Sequence, residues 1–222
     1  MSHADKTKLI ARLREGETLQ DEELKLLFSG ESVYDENQMK QICYGLAHGI
    51  DVSKYTVLDK DGNPVYNHLQ MNQICYGLEL GLNVSVYAVL DKDSKPVYDD
   101  AQMRQIRYGL QDDLDFRKYA VLYKDRKPVY DAEQMQEIRY GLRSGLDVSV
   151  YSVLDKDGKP VYDSDQMREI RNALKDGKDI SHLFVHDTGE PIVMRTVDHN
   201  SASLCSDDID ETFVSNDYDM GK

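Results

Sequence analysis

The feature that most constrains this chain is a 32-residue period that never slips. Val33, Val65, Val97, Val129 and Val161 stand at that interval, each followed by Tyr, namely Tyr34, Tyr66, Tyr98, Tyr130 and Tyr162. An Asp or Asn comes next, then Gln38, Gln70, Gln102, Gln134 and Gln166, each followed by Met. Ile lies three residues after each Met and Leu four residues further on. A period of this length marks a supersecondary unit that cannot bury its apolar face alone and has to stack on its neighbours.

The fourth copy reads VYDAEQMQEIRYGLRSGLDVSVYSVLDKDGKP. Asp131 with Gln134 three residues on predicts a helix N-cap of capping-box type, because each side chain can satisfy an otherwise unpaired amide. Met135, Ile138 and Leu142 then share one helical face. Gly145 predicts a left-handed C-cap, so the helix has about four turns and depends on its neighbours for stability. Leu146 to Tyr151 predicts a single further turn of helix. Val153-Leu154 and Pro160-Val161 flank Asp155-Lys156-Asp157-Gly158-Lys159, which predicts a small hairpin with Gly at the positive-φ position. Ser94 and Arg126 take the place of this Gly in the second and third copies, which weakens the expectation of a hairpin there.

The expected fold is mainly α with short β-hairpins, an elongated tandem-repeat (solenoid-like) array of about five 32-residue units. Residues 1–32 are read as a helical N-terminal cap, in which Leu9, Leu13 and Gly16 echo the repeat helix. The repeats are read as 33–64, 65–96, 97–128, 129–160 and 161–197. The fifth copy decays as a terminal unit does, with Asn172-Ala173 replacing Tyr-Gly and Leu183 replacing Tyr. Residues 198–222 carry seven acidic residues against one Lys and are read as an acidic tail.

The pattern Gln-Met-x-x-Ile-Arg-x-Gly-Leu-x-x-Gly-Leu-Asp-Val-Ser-x-Tyr, as it stands from Gln134 to Tyr151, resembles short helical repeats of uncharacterised proteins from Gram-positive bacteria, their phages and mobile elements. The resemblance covers residues 33 to about 185. It implies a repeat architecture and a mobile-element setting and carries no activity with it.

The net charge of −14 argues against direct contact with nucleic-acid phosphates, which needs clustered Lys and Arg, and suits a basic protein partner. The charged opening MSHADKTKLIARLREGE has no signal-peptide core, and no stretch approaches the roughly 18 apolar residues of a membrane span, so a cytoplasmic setting without membrane contact is expected. Cys43 and Cys75 hold the same position in adjacent copies. Stacked helices about 8–10 Å apart would keep them beyond disulfide reach, and reduced core thiols are expected.

Gln134, Glu137, Tyr140 and Gly141 form a second helical arc that also recurs. Gly at positions 45, 77, 109 and 141 costs about 1 kcal/mol relative to Ala inside a helix, which implies close approach of another backbone, from the next copy or a ligand. Tyr44, Tyr76, Tyr108 and Tyr140 either close the joints between copies or form a ladder on a recognition surface. Arg107, Arg139 and Arg171 replace Cys in the later copies. They suggest an anion-contacting stripe, against the plainer reading of stems lying on the apolar face with heads in water. Phe213 and Tyr218 in the tail complete the candidate partner-binding set.

Asp59-Lys60-Asp61-Gly62 brings calcium to mind, but an EF-hand needs Gly at position six and Glu at twelve, so a plain turn is expected. His182 and His186 fall where a strand is expected and do not share a helical face. With no phosphate loop, nucleophile elbow or zinc-spaced Cys pair, no cofactor or metal is expected. The sequence reads as a non-enzymatic macromolecule-binding repeat protein that engages a protein. The alternatives are an acidic nucleic-acid mimic that inhibits a nucleic-acid enzyme such as a defence nuclease, and a self-associating structural array.

Overall fold

The computed structural model describes residues 32–180 without a break, together with Lys8, Arg12, Glu17 and Glu23. The rest of the 1–32 segment, residues 181–197 with His182 and His186, and the 198–222 tail with Phe213 and Tyr218 lie outside the described residues. The described fold is mainly helical. It holds five α-helices of 12 residues each: α1 (Glu36–Ala47), α2 (His68–Glu79), α3 (Asp100–Gln111), α4 (Ala132–Arg143) and α5 (Ser164–Lys175). No strand forms among the described residues. Each helix packs against the next in chain order.

Every helix begins with the capping box that its sequence announces. Asp35, Asn67, Asp99, Asp131 and Asp163 accept a bond from the backbone amide of the Gln three residues on, and the Oε1 of that Gln accepts one from the cap's own amide. The same Gln has a further task that the spacing did not reveal. Its Nε2 donates to a carbonyl 28 residues ahead: Gln38 to Tyr66 at 2.8 Å, Gln70 to Tyr98 at 3.0 Å, Gln102 to Tyr130 at 2.9 Å and Gln134 to Tyr162 at 2.8 Å. One amide therefore closes a helix terminus and ties it to the following copy.

The helices end on a left-handed residue, Gly49, Gly81, Gly145 and Gly177, with Asp113 (φ 53°) in the third copy. A single 3₁₀ turn follows in each of the first four copies: Val52–Lys54, Val84–Val86, Phe116–Lys118 and Val148–Val150. Each is capped by the Asp or Asn before it. The connecting segments carry one isolated antiparallel bridge apiece, Leu58 with Pro64, Leu90 with Pro96, Leu122 with Pro128 and Leu154 with Pro160. Contrary to the expectation from sequence, Ser94 (φ 59°) and Arg126 (φ 64°) adopt the same left-handed conformation as Gly62 and Gly158, so the turn persists without its glycine. In the first copy Asp59 Oδ1 accepts the amides of Asp61 at 2.9 Å and Asn63 at 2.8 Å, which fixes the turn locally and holds that carboxyl below its usual range.

The core is a file of Met and Ile from the helices, fully buried at Met71, Ile74, Met103, Ile106, Met135 and Ile138. Against it lie Tyr55, Tyr87, Tyr119 and Tyr151, the residues that close the 3₁₀ turns. These tyrosines explain the helical glycines and correct the expectation of a backbone or ligand contact. A Cβ on Gly45, Gly77, Gly109 or Gly141 would stand 2.0, 1.9, 1.7 or 1.8 Å from the hydroxyl of the tyrosine ten residues on, in the same copy. That hydroxyl donates to a helix carbonyl four residues before the glycine, as Tyr87 does to Gln73 at 3.1 Å. The fifth copy changes both partners together, to Ala173 and Leu183.

Candidate functional site

Four helices place Tyr44, Tyr76, Tyr108 and Tyr140 at one register, each beside the Tyr-docking glycine and so on the flank of the joint between helices. Tyr76 and Tyr108 are exposed, at 41% and 37%, and Tyr44 and Tyr140 are half-buried. The arginines of the later copies fill the spaces between these rings. The Arg107 Cζ lies 5.7 Å from the Tyr76 centroid and 4.5 Å from that of Tyr108. Arg139 repeats this at 5.2 Å from Tyr108 and 4.6 Å from Tyr140, and Arg171 lies 5.6 Å from Tyr140. From Tyr76 to Arg171 the rings and guanidinium groups alternate, an arrangement favoured by the attraction of a cation to the ring quadrupole.

The plainer expectation from sequence puts the arginine heads in water; the structure instead draws them into the joints, with Arg171 half-buried. Arg107 and Arg139 are 8% and 5% exposed. Each donates from Nε to the side chain two places before the equivalent position of the preceding helix: Arg107 to Gln73 at 3.1 Å, Arg139 to Gln105 at 3.0 Å and Arg171 to Glu137 at 2.8 Å. Burial of a charge demands such a partner, and the planar guanidinium combines a hydrogen bond in its plane with stacking on its faces. Asp112 adds a longer-range carboxylate, 3.8 Å from Arg139 and 3.7 Å from Arg143. The arginines thus belong to the joints, and the tyrosine rims are what the surface presents.

The first joint differs. Cys75 occupies the position of Arg107, is buried, and receives the Tyr55 hydroxyl at 3.7 Å. It is a free thiol, like Cys43, and burial pushes both upward, Cys43 to about 11. Tyr44 and Tyr76 lie 6.3 Å apart with rings tilted at 55°, and between them opens a crevice of 250 Å³. The Tyr44 hydroxyl donates to Glu79 at 3.1 Å, and burial followed by this bond holds its pKa above the ordinary value. His48 stacks on the Tyr44 ring at 4.0 Å.

The chain matches no family model, no curated protein and no solved structure. The reading of this surface therefore rests on its own geometry. Among the described residues no cluster of His, Cys, Asp and Glu could hold a metal ion, and no helix is long and apolar enough to cross a membrane. A second concavity, an open groove of about 690 Å³, runs between Pro128–Asp131 and Pro160–Asp163, floored by Gln102, Gln134 and Gln166. It is lined by Gln102 and Gln134, whose amides tie one copy to the next, and by the capping Gln166, so it follows from the joints.

Sequence reasoning put the tyrosines and arginines together as candidates but missed that they interleave. The signal was present in the acceptors: Gln73, Gln105 and Glu137 stand 34 residues before Arg107, Arg139 and Arg171. That interval is one period plus two residues, which places a donor of one helix beside an acceptor of the preceding one.

Proposed function

We propose that this chain is a non-enzymatic protein-binding module, an elongated solenoid-like array of short helix-and-hairpin units that presents a stripe of tyrosine edges to a protein partner. The observation that supports it is the register of Tyr44, Tyr76, Tyr108 and Tyr140, exposed or half-buried on adjacent helices while the arginines between them are fixed by the joints. Rigid aromatic side chains contribute contact area at low entropic cost, and here their rotamers are set before a partner arrives. The resemblance to repeats of phages and mobile elements suggests a partner from the host cell, and the charge of −14 favours one with a basic surface.

The test is affinity capture from a bacterial lysate with the wild-type chain and with a Tyr108→Ser, Tyr140→Ser variant of unchanged helical circular dichroism. A protein retained at high salt by the wild type and lost from the variant supports the reading. Capture that is equal for both overturns it.

The second reading, a mimic of nucleic acid, draws on the carboxylates of Asp35, Asp99, Asp131 and Asp163, which recur at the helix N-termini. Capping accounts for all four. A salt-released nucleic-acid enzyme, held alike by both proteins, would favour the mimic, and concentration-dependent oligomers without a partner would favour self-assembly.

A further inference from the structure

We infer that the crevice between Tyr44 and Tyr76 is a receptor for an arginine side chain of the protein partner. This rests on the protein-binding reading and names the group that reading left open. The crevice is lined by Lys40, Gln41, Tyr44, Asn72, Cys75 and Tyr76.

The same slot recurs along the chain with its occupant in place. In the next joint the Arg107 guanidinium lies between Tyr76 and Tyr108 and donates to Gln73, and in the one after it Arg139 lies between Tyr108 and Tyr140 and donates to Gln105. The first joint keeps the residues of that slot, with its rings drawn in to 6.3 Å between centroids and His48 stacked on Tyr44, so a guest has to part the rings. Tyr44 and Tyr76 supply the rings, and Gln41 supplies the acceptor at the position of Gln73 and Gln105. Its Oε1 accepts one bond, from Asn72 at 3.1 Å, and a carbonyl oxygen has a second lone pair. Only the internal arginine is missing, because Cys75 is too short to reach between the rings.

Charge favours a cationic guest. The Glu79 carboxylate sits at the Tyr44 hydroxyl, and Lys40, the one cation in the lining, is paired with Glu36 at 2.8 Å. A guanidinium is preferred over an ammonium because a ring face beside the Gln41 acceptor asks for a flat group that lies against a ring and donates within its plane.

The probe is capped arginine (N-acetyl-arginine amide) titrated into the full-length protein, followed by the ring resonances of the tyrosines, with capped lysine as the control of equal charge. Saturable shifts at Tyr44 and Tyr76, weaker with lysine, are expected. In Cys75→Arg the chain fills its own slot, so these shifts are lost. In Tyr76→Ala, which removes one exposed wall that also borders Arg107, they are lost as well, with circular dichroism showing that the fold is kept. Absence of shifts in the wild type, equal shifts with lysine, or shifts that persist in the folded variants overturn the inference. The ladder as a binding surface is tested through Tyr108 and Tyr140, so failure here leaves that result independent.

Discussion

Gly109→Ala is a substitution that helix propensity alone would rate as favourable by about 1 kcal/mol. The structure reverses the sign. The new Cβ would stand 1.7 Å from the Tyr119 hydroxyl and 3.0 Å from its ring carbon Cζ, and Tyr119 is fully enclosed with its hydroxyl bonded to Gln105 O at 3.3 Å. The ring cannot tilt into empty space, so the helix is pushed off the core or the tyrosine is expelled. Loss of a buried aromatic side chain costs about 3–5 kcal/mol. Set against the propensity gain, the net destabilisation is about 2–4 kcal/mol, and in a chain of this size that lowers Tm by roughly 5–15 °C. Thermal unfolding followed by circular dichroism measures it. The companion Tyr119→Leu reproduces the Ala and Leu of the fifth copy, so the double variant should be more stable than the sum of the single changes by about 1 kcal/mol or more. A Gly109→Ala protein that melts at or above the wild-type temperature, or strictly additive changes, would refute the docking argument.

Arg139→Lys should destabilise by about 1–3 kcal/mol in urea unfolding despite conserving charge, since an ammonium neither stacks on Tyr108 and Tyr140 nor reproduces the bond to the buried Gln105. Ser94→Gly should raise stability by up to about 1 kcal/mol, because its φ of 59° is free for glycine and strained for serine. Alkaline titration should unfold the chain. Burial raises the phenols of Tyr66, to about 12, and of Tyr87, Tyr119, Tyr130 and Tyr151 beyond it. The unfolded chain releases these protons from about pH 10. The contribution of these tyrosines is therefore fully present below pH 10 and falls as pH rises toward the folded values, which phenolate absorbance recorded beside circular dichroism would detect as titration coincident with unfolding.

Local structure was largely legible. Capping residues act within a few positions of themselves, so Asp131 with Gln134, Gly145 and the 3₁₀ turn after it could be read from one copy. Partners that meet across turns were harder. The glycine of each helix and the tyrosine ten residues on are linked by tertiary contact, and only their joint change to Ala173 and Leu183 betrayed it. The arginines were misread because a charged residue on a helix flank is ordinarily solvated. What buries Arg107 and Arg139 is a stack of two rings that forms only when neighbouring helices are in place. The left-handed Ser94 and Arg126 show a turn whose bridge and flanking bonds outweigh the preference of the single residue.

The Gln that reaches 28 residues ahead has a genetic corollary. Each junction is written in the same intervals, whichever two copies it joins. A duplication or loss of 32 codons, or a multiple of it, leaves the remaining contacts intact, whereas an insertion of any other length separates donors from acceptors on both sides. Unequal recombination between copies can therefore lengthen or shorten this protein in one step, and the number of tyrosine rims at its surface becomes a trait that selection can adjust without redesigning a single contact.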